Sequence, residues 1–78
     1  MPTVFRWKGY RFFWYQADGS EPPHVHIWKD GNECKIWLRD VTVAFNHGHS
    51  PRDVQGLLDV TAAERSRLLE VWNEHFGH

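Results

Sequence analysis

Two histidines separated by one residue, His24 and His26, are the first groups in this chain whose type and spacing can do chemistry. On an extended strand, residues two apart project from the same face, roughly 6.5–7 Å apart along the chain. Imidazoles so placed can ligate one metal ion, or serve as general acid and base about one scissile phosphate. The plainer alternative is a half-buried pair stacking on Trp28 and Trp37. Metal-free phosphodiester cleavage also needs a cation for the developing charge. Lys35 is the first candidate, because it falls opposite His26 in the hairpin derived below. Arg6, Arg11 and Lys29 are further cations, and Tyr10 or Tyr15 can add a hydrogen bond. Asp18 and Glu21 lie just before the pair and can orient an imidazole, although turn residues of these types need no such role.

His47-Gly48-His49 is a second His-X-His segment, and two such pairs could supply four ligands. Zinc is the ion they suggest; no other cofactor is expected. Structural zinc usually takes Cys with His, and catalytic sites show three ligands with carboxylates behind them. The plainer reading of residues 46–49 is a loop turning at glycine into a helix. Trp28 and Trp37 share the His24/His26 face, where they can stack on bases or anchor a partner protein. With Tyr15 and Arg11 they make up the candidate binding residues. The single cysteine, Cys34, falls on an apolar face and reads as an inert core thiol. No Ser-His-Asp arrangement, phosphate loop or dinucleotide fingerprint is present.

The elements that must position these groups follow from periodicity and turn chemistry. Thr3 to Trp7 reads as a strand, Lys8-Gly9 as a turn, and Tyr10 to Gln16 as a second strand with aromatic residues on both faces. Such a strand is covered on both sides and interior to its sheet. Residues 17–23 read as a polar loop ending in Pro22-Pro23. His24 to Lys29 and Glu33 to Arg39 then form a hairpin about Asp30-Gly31, a pair that tolerates positive φ. This register sets Ile27 opposite Cys34, Val25 opposite Ile36, His26 opposite Lys35, and His24 opposite Trp37. A turn centred on Gly31-Asn32 would shift it and stays open here. Val41 to Phe45 is a fifth strand. Ser50, Pro51 and Asp53 signal a helix start, with Val54, Leu57 and Leu58 facing inward. Thr61-Ala62-Ala63-Glu64 reads as a second capping box, opening a helix whose stripe is Leu68, Leu69, Trp72 and Phe76. Two helices, or one kinked near residues 59–61, are expected. The prediction is a single α+β domain over residues 1–78, with strands over 3–46 and helices over 51–76. The helices should cover the Val25/Ile27/Ile36/Leu38 face, leaving the His/Trp face as the binding surface.

Composition narrows the partners. The chain has 78 residues and a formal net charge of −1, with five Trp, five Phe and two Tyr supplying a core that so short a sequence could not otherwise fill. A nucleic-acid binder usually carries a strongly basic domain, so RNA is disfavoured as a partner. The first residues lack the apolar run of a signal peptide, and no apolar run approaches the ~20 residues of a membrane span. A cytoplasmic protein without a membrane role is expected.

Several segments resemble domain-of-unknown-function family 4160. They are Met1-Pro2, Gly9 ahead of an aromatic strand, Glu21-Pro22-Pro23-His24-Val25-His26, Lys35-Ile36-Trp37-Leu38, Asn46 with Gly48, and residues 69–76. The Pro-Pro-His-Val-His segment is the most specific. The resemblance implies a toxin–antitoxin-like gene pair, with a small partner protein of domain-of-unknown-function family 2442. The sequence departs from the pattern at His47, His49 and His75, so those three gain no role from it. Three readings stand at this point, and they leave enzyme or non-enzyme open. One is a toxin–antitoxin-type component whose His/Trp face contacts a partner protein. Another is a metal-independent ribonuclease-like toxin using His24, His26 and Lys35. The third is a His-based metal-binding or plain interaction module.

Overall fold

Strand-forming residues fill the first half of the chain, and the turns between them decide how they pair. The computed structural model describes residues 3–77, so Met1 and Pro2 of the family-like pattern lie outside the described residues. Five strands, β1 (Thr3–Trp7), β2 (Tyr10–Phe13), β3 (His24–Lys29), β4 (Asn32–Trp37) and β5 (Thr42–His47), precede two helices, α1 (Pro51–Ala63) and α2 (Arg65–Phe76). The strands form one antiparallel sheet in sequence order, which with the C-terminal helices makes the expected α+β arrangement.

The β3–β4 hairpin follows its turn. Asp30 and Gly31 take φ values of 52° and 82°, the conformation of a two-residue type I′ turn. The pairs His24–Trp37, Val25–Ile36, His26–Lys35 and Ile27–Cys34 then form as read from the sequence, and the alternative register is not adopted. One face of β2, β3 and β4 carries Tyr10, Phe12, Val25, Ile27, Cys34 and Ile36, which form the core with Leu38, Leu57 of α1 and Leu68 of α2. The helices therefore pack on the Val25/Ile27/Ile36/Leu38 face as expected. Cys34 is fully buried there, and burial pushes its thiol up to about 12, so it stays protonated and inert.

Five local expectations change. β4, read over Glu33 to Arg39, runs over Asn32–Trp37. β2 ends at Phe13 instead of Gln16, because Trp14 dives under α2 and its indole Nε1 donates to the His24 carbonyl. The segment read as loop carries a 3₁₀ helix over Gln16–Ser20. Its Asp18 accepts from the Tyr15 N–H at 2.8 Å, an Asp-to-backbone bond that competes with strand extension. Gly19 sits where a Cβ would meet the Phe76 ring at 2.6 Å, so this turn is pressed against the end of α2. β5 runs two residues further than read and holds His47, while Val41 sits in the preceding turn at φ 54°. Finally, Thr61 is no cap. It is a buried residue inside α1, and the helices meet at Glu64 (φ −100°, ψ 9°). Glu64 N–H still bonds Val60 O and Leu68 N–H bonds Glu64 O, so the junction is a bend in a nearly continuous ladder.

Candidate functional site

β3 lies between β2 and β4, so its outward side chains project from the middle of the sheet face opposite the apolar core. His24 and His26 do share that face, with rings 5.0 Å apart. They are not exposed, however: His24 is 0% and His26 5% accessible. The expectation of an open His/Trp face therefore needs correcting, and two elements explain the cover. From one side the C-terminal end of α2 brings Trp72, whose ring lies 5.1 Å from that of His24. From the other the 3₁₀ helix lays Asp18 over the pair. Asp18 Oδ2 is 3.2 Å from His24 Nε2 and 3.1 Å from His26 Nε2, yet neither nitrogen makes a hydrogen bond there.

The other nitrogen of each ring is satisfied. His24 Nδ1 meets the Pro22 carbonyl at 2.8 Å, and His26 Nδ1 meets Glu33 Oε2 at 3.2 Å. The second Glu33 oxygen accepts from the Tyr15 hydroxyl at 2.8 Å. Burial and then the Glu33 contact raise the Tyr15 phenol above its usual value. For His26, burial is the largest influence and lowers the imidazolium, with Asp18 opposing it. Phe13 stacks on the His26 ring and the Tyr15 edge closes its other side. The arrangement can hold a charge in a dry place, and it presents little surface to a substrate.

Lys35 sits opposite His26 as read, but its ammonium is engaged. It pairs with Glu21 Oε1 and lies 4.4 Å over the Trp37 ring. That hydrogen bond holds the Glu21 carboxyl below its usual value. Of the candidate binding residues, Tyr15, Arg11 and Trp28 come together around one groove with Phe13 and Glu33, of about 300 Å³. Trp28 is 43% and Tyr15 37% exposed. Trp37 lies apart, lining a smaller hollow with Pro22, Pro23, Arg39 and Asp40. The two histidines of the second segment diverge. His47 stacks on Phe45 at the exposed end of β5, and His49 is buried beside Tyr10 on the α1 side. Neither joins Asp18, His24 and His26, whose ligand atoms all lie within 4.8 Å of one another among the described residues.

Sequence reasoning assigned Asp18 only an orienting role and missed its placement against both rings. Residues 17–23 read as a polar loop, but nothing in them said where that loop would fold. Glu33 was missed as well, although its register opposite Trp28, next to the His26–Lys35 pair, was available from the hairpin.

Residues 9–73 match the family model described as Domain of unknown function (DUF4160). The chain belongs to this family. No curated protein and no solved structure matches it. The DUF4160 match takes in every strand from β2 onward and all of α1, and so includes Asp18, the Pro-Pro-His-Val-His segment and Glu33. In this DUF4160 chain no helix is long and apolar enough to cross a membrane among the described residues.

Proposed function

We propose that this DUF4160 chain is a toxin–antitoxin-type component that meets a small partner protein through the groove of Arg11, Phe13, Tyr15, Trp28 and Glu33. The observation that supports it is the exposure of Trp28 and Tyr15 about a hollow on the part of the histidine-bearing sheet face that the end of α2 and the 3₁₀ helix leave open. Exposed aromatics flanking a hollow are what a partner's apolar side chain fills, and such residues carry most of the energy in protein interfaces. A net charge of −1 favours protein over nucleic acid as the occupant. The ribonuclease alternative draws less support. A phosphodiester reaching His24 Nε2 would have to displace both Asp18 and Trp72, and Lys35 would have to leave Glu21.

The test is titration calorimetry against a small protein of domain-of-unknown-function family 2442, the partner the resemblance implies, with growth of a bacterial host followed while each is expressed alone and together. Tight binding, weakened on the order of 30-fold by Trp28→Ala, is expected. Growth arrest by one protein, relieved by the other, is expected too. Binding unaffected by Trp28→Ala and Tyr15→Ala would move the interface elsewhere. Normal growth under every combination would remove the toxin–antitoxin assignment.

A further inference from the structure

The proton positions at the buried histidines follow from their partners. Pro22 O is a carbonyl and can only accept, so His24 carries its hydrogen on Nδ1. Glu33 Oε2 belongs to a carboxylate, which assigns the His26 hydrogen to Nδ1 in the same way. In the neutral rings each Nε2 is then a bare lone pair. Both lone-pair atoms lie within 3.2 Å of a third acceptor, Asp18 Oδ2, in a place that is at least nine-tenths buried on all three residues. Acceptors crowded together away from water repel one another unless a proton or a metal ion sits among them.

We propose that Asp18 Oδ2, His24 Nε2 and His26 Nε2 form a binding site for a divalent transition-metal ion of zinc type. Bonds of about 2.0–2.2 Å in a tetrahedron put neighbouring ligand atoms about 3.3 Å apart, close to the 3.1 and 3.2 Å found from Asp18 to the two rings. Imidazole nitrogen with one carboxylate suits zinc-like ions over magnesium or calcium, which prefer all-oxygen sets. The surrounding bonds are those a metal site needs. Each histidine gives its far N–H to an oxygen acceptor, one of them a carboxylate, and the Tyr15 N–H steadies the aspartate. An ion here ties the 3₁₀ helix to β3, fixing the loop that carries Tyr15. This site stands independently of any partner protein.

The test uses the untagged chain, stripped with a chelator and titrated with Zn²⁺ at pH 7.5. One ion per chain with a submicromolar Kd is expected, with a Tm rise on the order of 10 °C when free zinc is a hundredfold above Kd. Asp18→Asn and His26→Gln should each weaken binding at least about 100-fold, and Glu33→Gln about 10–100-fold. A His47→Ala/His49→Ala double variant should bind as the wild type does. No stoichiometric binding by the wild type would overturn the proposal. So would binding that survives Asp18→Asn and His26→Gln but vanishes in the double variant. If those ligand variants fail to fold, imidazole ¹⁵N spectra of the wild type decide the matter. Zinc must shift Nε2 of both His24 and His26 while their Nδ1 protons persist, and unshifted Nε2 signals refute the site. Because the isolated chain is used, failure here leaves the partner reading standing, and failure of that reading leaves this one.

Discussion

Trp72 and Trp28 are the same residue type in opposite circumstances, and truncating each to alanine separates scaffold from surface. Trp72 is fully buried, with its ring 5.3 Å from that of Trp14, 5.1 Å from His24 and 4.3 Å from Phe76. Removing a buried indole costs about 3–5 kcal/mol, the lost transfer energy plus the cavity left behind. A chain of 78 residues holds roughly 4–12 kcal/mol in all, so Trp72→Ala takes about a quarter of the stability or more. Trp28 is 43% exposed, and Trp28→Ala should cost under about 1 kcal/mol. Urea unfolding followed by far-UV circular dichroism reads both without relying on tryptophan emission. With an m-value near 1 kcal/mol/M, the Trp72→Ala midpoint should fall by about 3 M or more, while that of Trp28→Ala moves less than about 1 M. Partner affinity should show the reverse pattern in the variant that stays folded: Trp28→Ala keeps its stability and loses binding. If Trp72→Ala costs less than about 1 kcal/mol, the end of α2 does not close over His24 as described, and the burial of the site is wrong with it.

Gly31→Ala tests the hairpin. Nothing lies within 4 Å of the added methyl, so the cost is backbone strain at φ 82°, about 1–2 kcal/mol by thermal unfolding. A neutral result would mean the turn is not type I′. Glu33→Gln should lower the Tyr15 titration midpoint measured by phenolate absorbance, leaving the parts due to burial and to Asp18 and Arg11; an upward move would contradict the Tyr15–Glu33 bond. The Glu21 carboxyl, held down by Lys35, should titrate below the ordinary ~4.3 in carboxyl NMR, and Lys35→Met should raise it. Because its folded value is depressed, this pair's stabilisation is present above ~4.3 and is lost as pH falls through the folded value. An unchanged midpoint in Lys35→Met would show that the pair does not form in solution.

The parts legible in the sequence were those written in local chemistry. Asp30-Gly31 dictated a turn with two positive φ values, and that turn set every pair of the β3–β4 hairpin. Ser50 with Pro51 marked the start of α1, where Ser50 Oγ accepts from Asp53 N–H at 3.1 Å. Thr61 misled for a related reason. Its spacing to Glu64 is that of a capping box, but the hydroxyl lies in the interface between α1 and the rest of the fold, and tertiary packing carried the helix past it. β2 was read too long because Trp14 and Tyr15 continue its aromatic alternation. The bond from Tyr15 N–H to Asp18 and the cover of α2 over Trp14 are non-local events that alternation does not encode.

The same distinction explains why the candidate site was half seen. A strand carries the two histidines, and period-two geometry alone puts them side by side. Whether they face water depends on what crosses that face, and here α2 and the 3₁₀ helix divide it. The half around His24 and Trp72 is dry, whereas the half around Tyr15 and Trp28 is open. Glu33 stands on the boundary, with one oxygen on His26 and the other on Tyr15. Any change at the buried cluster that moves His26 must therefore be felt at the rim of the groove, through this carboxylate and through the Phe13 and Tyr15 rings packed on His26. Zinc at the site should then raise partner affinity in the wild type, and the enhancement should shrink in Glu33→Gln at zinc levels that still saturate it. Equal partner affinity with and without zinc in the wild type would show that the two halves of the face work separately, whatever each one binds.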